Sequence, residues 1–138
     1  MALEIEQRDQ EGILILNLKG RLTLGEEDLA LRNEITSAEA AGKIRLVLNL
    51  AKVTDIDTTG LGTLVSAMAK LRSAGGGLAL SNLHPAHMAL LVIAKMDTAF
   101  KVFKQDQDAV NSFFPDRQVP HFDILEFLES LRQKSAPA

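Results

Sequence analysis

Between residues 44 and 50 the chain reads Ile-Arg-Leu-Val-Leu-Asn-Leu, an apolar run too dense for the alternation of a half-buried strand. Such a run fits a strand covered on both faces, as in a parallel sheet flanked by helices. The next residues narrow the choice. Thr54-Asp55-Ile56-Asp57-Thr58-Thr59-Gly60-Leu61-Gly62 crowds two carboxylates, three hydroxyls and two glycines into nine positions. Over residues 61–71, Leu61, Leu64, Val65, Met68 and Leu71 then recur at helical spacing as a single stripe. Strand, polar turn and helix start follow one another directly. A helix start carries unpaired N–H groups and a partial positive charge. It can hold an anion, including a phosphate borne on one of its own hydroxyls.

The flanking segments extend the same pattern. Leu3, Ile5 and Gln7 alternate with Glu4, Glu6 and Arg8, which predicts an edge strand. A turn over 9–12 leads to a second apolar strand over 13–18, paired with the first as a hairpin. Residues 20–25 read as a loop. Glu26, Glu27 and Asp28 place negative charge in the first turn of a helix, whose buried face is Leu31, Ile35 and Ala38 and whose cap is Gly42. Beyond the central helix, residues 73–77 form a break and 78–80 a short strand. A third helix opens at Pro85, with Met88, Leu91 and Val92 facing inward. A last strand over 100–103 and a helix over 106–114 precede Pro115 and Pro120. Asp123-Ile124-Leu125-Glu126 resembles a capping box, and Ile124, Leu125, Phe127, Leu128 and Leu131 line one side of a final helix. Residues 135–138 are expected to fray.

This order predicts an α/β fold: a mixed, mostly parallel sheet of four to five strands with helices packed against it, plus a C-terminal helical extension. The division expected is a domain over 1–114 and an extension over 115–138 carrying a short amphipathic helix. That helix either folds back on its own domain or offers a dimer or partner contact.

Composition removes several functions. The 138 residues suit one domain and include no cysteine, so disulfides and thiolate metal sites are excluded. The N-terminus has neither a basic n-region nor an apolar h-region, and no apolar run approaches about 18 residues. A cytoplasmic chain with no membrane insertion is expected. A net charge of −3, with no tyrosine and no tryptophan, argues against nucleic-acid binding.

Thr58 and Thr59 read either as helix caps, worth about 1 kcal/mol, or as a modification site. Asp55 and Asp57 could form a catalytic or Mg²⁺-binding pair, but no third partner accompanies them. Gly60 and Gly62 do not form a P-loop, because no Gly-Lys-Ser/Thr follows. His84, His87 and His121 lack ligand spacing and read as structural or exposed. Met68, Met88 and Met96 read as core filler. No metal, cofactor or catalytic set emerges, so the expectation is a binding protein and not an enzyme.

The strand over 46–50, the turn Asp57-Thr58-Thr59-Gly60-Leu61-Gly62, its helix and the glycine-rich break before Leu78 resemble the STAS domain family, whose single-domain members include bacterial anti-sigma factor antagonists. Phe100-Lys101-Val102-Phe103 and Ala109 resemble the family's last strand and helix, so the likeness covers roughly residues 3–114. In that family the turn commonly reads Asp-Ser-Ser-Gly-Leu-Gly or Asp-Ser-Thr-Gly-Leu-Gly. The hydroxyl residue after the Asp is phosphorylated by a partner anti-sigma factor serine/threonine kinase, and a phosphatase reverses the modification. By position the resemblance implies that Thr58 is the phosphoacceptor. It implies partner contacts at Thr54, Asp55, Asp57, Thr59, Gly60, Gly62 and Thr63, in a monomer or weak homodimer. Here threonine replaces the usual serine, Thr23 stands where many members carry Asp, and Asp55 occupies a position that is often apolar. Lys95 stands where Gly often ends the third helix. A left-handed non-glycine cap costs about 1–2 kcal/mol, which predicts a different cap there. A rival reading is a STAS scaffold that never carries phosphate, or the cytosolic subunit of a signalling or transporter assembly. A third is a small-molecule or nucleotide sensor.

Overall fold

The computed structural model describes residues 3–135. Five strands form one sheet in the order β1-β2-β3-β4-β5. β1 (Glu4–Gln10) and β2 (Ile13–Leu22) pair antiparallel. Their two-residue turn, Glu11 and Gly12, has φ of 56° and 85°, the twist that suits a right-handed hairpin. β3 (Arg45–Ile56), β4 (Gly77–Ser81) and β5 (Lys101–Phe103) then add in parallel. The helices are α1 (Glu26–Ala40), α2 (Thr58–Ser73), α3 (Pro85–Ile93), α4 (Asp106–Asn111) and α5 (Ile124–Ser135).

The dense apolar strands are explained by two covered faces. Leu14, Leu16, Leu46, Leu48, Leu78 and Leu80 point into a core with Leu31 and Ile35 of α1, Leu64 and Leu71 of α2, and Leu91 of α3. Their strand neighbours Ile13, Ile15, Val47 and Ala79 point the other way, to Ala109 and Val110 of α4. Successive strand side chains alternate between faces, so both sets must be apolar. Met88 lies in the first core, and Met68 and Met96 pack against it.

Three boundaries beside the polar turn differ from the sequence reading. β2 continues through Gly20 and Arg21 to Leu22, where a loop was expected. β3 continues to Ile56, so Thr54 and Asp55 are strand residues. The ladder extends because Arg21 pairs with Asp55 and Leu22 with Ile56, across register shifts near residues 17–21. α2 starts at Thr58, not at Leu61.

The helix ends follow backbone chemistry. After α1, Gly42 N–H donates to Glu39 O (3.0 Å) and Lys43 N–H to Ala38 O (2.8 Å). This Schellman pair satisfies carbonyls the helix leaves open. Lys95, at φ 60°, makes the same motif after α3, with Met96 N–H donating to Leu91 O at 2.7 Å. The altered cap expected from a non-glycine residue does not form. Met96 packs against the core, and this contact offsets the backbone cost.

α4 ends at Asn111, short of residue 114. α5 packs on α3, with Ile124 buried and Phe127 and Leu128 half-buried. Asp123 caps it by accepting from Glu126 N–H at 2.9 Å. Leu125, expected on the packed side, is 54% exposed. Ahead of α5, Arg117 donates to both carboxylate oxygens of Glu11 at 2.6 and 3.1 Å, tying the extension to the hairpin tip. Residues 136–138 of the expected frayed end lie outside the described residues.

Candidate functional site

The site is built where β2 ends against the start of α2. Asp57 N–H donates to Leu22 O at 3.3 Å, and its own carbonyl accepts the first helical bond from Leu61 N–H at 2.9 Å. Its backbone is extended, and Asp57 is therefore the N-cap. One carboxylate oxygen accepts from Gly60 N–H at 2.8 Å, the other from Leu24 N–H at 2.9 Å. These bonds, that from Gly60 first, hold the Asp57 carboxyl below the usual carboxylate range. A single side chain thus caps α2 and clips the β2–α1 loop to it.

The two glycines of the turn have different duties. A Cβ on Gly60 would lie 2.1 Å from Leu22 O, so only glycine lets strand and helix meet. A Cβ on Gly62 would meet nothing within 4 Å. Gly60 is buried inside the fold, whereas Gly62 is exposed.

Thr58 is exposed at the first helical position, beside a half-buried Thr59. Neither threonine is the cap; that role belongs to Asp57. Thr54 is exposed, and its hydroxyl has two acceptors in reach for its single proton, Asp55 at 3.0 Å and Gly20 O at 3.3 Å. Thr63 is only 2% exposed, and its hydroxyl donates to Asp28, which also accepts from Arg32 at 2.9 Å. The structure therefore brings Thr54, Asp55, Asp57, Thr58, Thr59 and Gly62 to one edge of the fold. It places Gly60 and Thr63 in the packing beneath them. Asp28, read from sequence only as a charge favoured by the helix dipole, is a buried acceptor joining α1 to α2.

Asp55 and Asp57 do not converge on a common ligand: Asp57 is filled by backbone N–H groups, and Asp55 accepts from its neighbour Thr54. Among the described residues no group of three or more His, Cys, Asp or Glu side chains is placed to hold a metal ion. No helix among them is long and apolar enough to cross a membrane.

Two contributors to the site escaped the sequence reading. Leu24 looked like loop filler, and only its apolar character amid polar neighbours marked it. His87 sits under the site, 9% exposed, with Nδ1 unpaired. Burial pushes its pKa down, aided by the nearby His84, while a hydrogen bond to the Thr54 backbone opposes the shift. His84 caps α3, its Nδ1 accepting from Ala86 N–H at 3.0 Å.

A sheet with an antiparallel first hairpin, parallel crossovers and an exposed hydroxyl at the start of the second helix defines the class. The STAS domain family matches residues 4–109, and the chain belongs to it. An anti-sigma F factor antagonist from Paenibacillus polymyxa is 26% identical over 112 residues, spanning 81% of this chain and 93% of that one. An anti-sigma factor antagonist from Mycobacterium paratuberculosis shares the fold at TM-score 0.71 and 21% identity, covering 80% of this chain and 93% of its own. Bacillus SpoIIAA in its phosphorylated form matches at TM-score 0.61 and 17% identity, covering 80% and 97%.

Proposed function

We propose that this chain is an anti-sigma factor antagonist that works by exchanging partners. Unphosphorylated, it binds an anti-sigma factor with serine/threonine kinase activity, and that sequestration frees a sigma factor. The kinase phosphorylates Thr58, the complex weakens, and a phosphatase restores the active form. The chain itself binds and is modified; it performs no catalysis.

The observation that carries this reading is the exposure of Thr58 at the first position of α2, immediately after the Asp57 cap. A phosphate there adds about −1.5 to −2 charges beside a helix N-terminus, which tolerates an anion. Asp57 already occupies the Gly60 N–H with its carboxylate, so the added charge faces outward to the partner. The fold survives modification, and the change is read at the surface, where the added group clashes with the docked partner. The kinship with antagonists from Paenibacillus and Mycobacterium supports the same role.

The test is intact mass of the protein recovered from its native cells. A species heavier by about 80 Da, one phosphate, is expected in the wild type and absent from Thr58→Ala. Its absence under growth, starvation and stress would overturn the switch and favour a constitutive scaffold.

A further inference from the structure

We propose that Leu24 is an apolar anchor on which the kinase partner docks, and that the partner presents an apolar recess rimmed by lysine or arginine. This inference rests on the switch described above and identifies the surface through which it operates.

Four large hydrophobic residues are strongly exposed among those described, and two of them, Leu24 at 74% and Leu29 at 57%, flank the first turn of α1. Leu24 does not wave freely. Its N–H is held by Asp57 at 2.9 Å, and Thr23 O beside it accepts from Asp28 N–H at 3.2 Å. The residue that caps the Thr58 helix therefore also sets the position of Leu24. With its backbone fixed before binding, Leu24 has only its side-chain rotamer left to order on docking, which keeps the entropic cost of an interface anchor small. Gly62, exposed and with open space around it, leaves room for a partner to approach the same helix closely.

Charge identifies the occupant. Segments 21–32 and 54–63 hold Glu26, Glu27, Asp28, Asp55 and Asp57 against only Arg21 and Arg32, a local balance of −3. Both arginines are engaged, Arg21 with Glu27 at 3.3 Å and Arg32 with Asp28 at 2.9 Å. An apolar knob in an acidic field fits a basic-rimmed recess and repels an acidic one. A new phosphate on Thr58 would itself pair with such a rim. Release after phosphoryl transfer therefore follows from displacement of Leu24, because the added group stands between the two surfaces beside Asp57.

The experiment follows newly made protein in its native cells by intact mass and reads the initial rate at which the species heavier by about 80 Da appears. Leu24→Ala is compared with wild type, with Thr58→Ala as the unmodifiable control. Ile93→Ala, which removes a side chain 79% exposed on α3, is the matched control elsewhere on the surface. Leu24→Ala is expected to lower the rate about five- to ten-fold, while Ile93→Ala matches wild type. Thermal melts of both variants should overlay wild type, since the clip to Asp57 uses the Leu24 backbone. Phosphorylation of Leu24→Ala at the wild-type rate, or an equal fall in Ile93→Ala, overturns the anchor and leaves the switch standing. Wild type that never gains phosphate overturns the switch and the anchor together.

Discussion

Two aspartates at helix starts along this sheet meet opposite fates. Asp106 opens α4 and accepts from Arg8 (2.5 Å), Ser81 (2.5 Å), Asn82 (3.2 Å) and the Asn49 amide (3.0 and 3.1 Å). Those donors come from β1, β3, β4 and the residue after β4, so the carboxylate is a closed knot of side chains. Asp57 opens α2 and accepts from backbone N–H groups, those of Gly60 and Leu24 foremost. The first arrangement engages four side chains. The second leaves the neighbouring hydroxyl of Thr58 free to face solvent. A carboxylate satisfied by side chains fastens a fold, whereas one satisfied by backbone can hold a helix start in shape and still leave its surface open to a partner.

The contrast can be broken first at the closed end. Asp106→Ala takes the acceptor from the fully buried Ser81 hydroxyl and the half-buried Asn49 amide, while the exposed Arg8 keeps Gln10 at 3.1 Å. A loss of about 2–3 kcal/mol is expected in urea unfolding, the cost of buried donors left without acceptors.

At the open end, Asp57→Ala should cost about 1–2 kcal/mol, the worth of a good N-cap. This loss carries a pH signature. The folded Asp57 carboxyl titrates below its unfolded value, held down by the Gly60 and Leu24 N–H groups. Its contribution is therefore complete above the unfolded value near pH 4 and disappears as the pH falls through the folded one. Wild type and Asp57→Ala should differ at pH 7 and converge as the pH falls below the unfolded value and through the lowered folded one. A difference that persists unchanged into acid would refute the assigned role of the carboxylate.

The smallest effect is expected one residue further on. Thr58→Asp adds a charge that the helix dipole favours and Asp57 opposes, so stability should stay within about 0.5 kcal/mol of wild type. If Thr58→Asp destabilises as much as Asp57→Ala, the two positions are equally structural and the open character of this helix start is lost.

The layered α/β fold was legible in the sequence because it depends on local regularities. The double-faced run at residues 44–50 requires cover on both sides. The stripe from Leu61 to Leu71 requires a helix, and Gly42 and Pro85 mark helix ends by backbone rules that act within a few residues. Turn type and position were also legible, since Asp57, Thr58, Gly60 and Gly62 are neighbours along the chain. Tertiary structure alone decided their roles. Gly60 is indispensable because Leu22 O, 38 positions earlier, occupies the space of a Cβ. Thr63 lies inside because Asp28 on another helix accepts its hydroxyl. The late ends of β2 and β3 depend on their pairing with each other, which intrinsic propensity does not report. Leu24 became part of the site only when its N–H met Asp57, 33 residues away. Sequence pattern determines which segments fold; long-range contact determines which of their atoms remain exposed, and function is read from those.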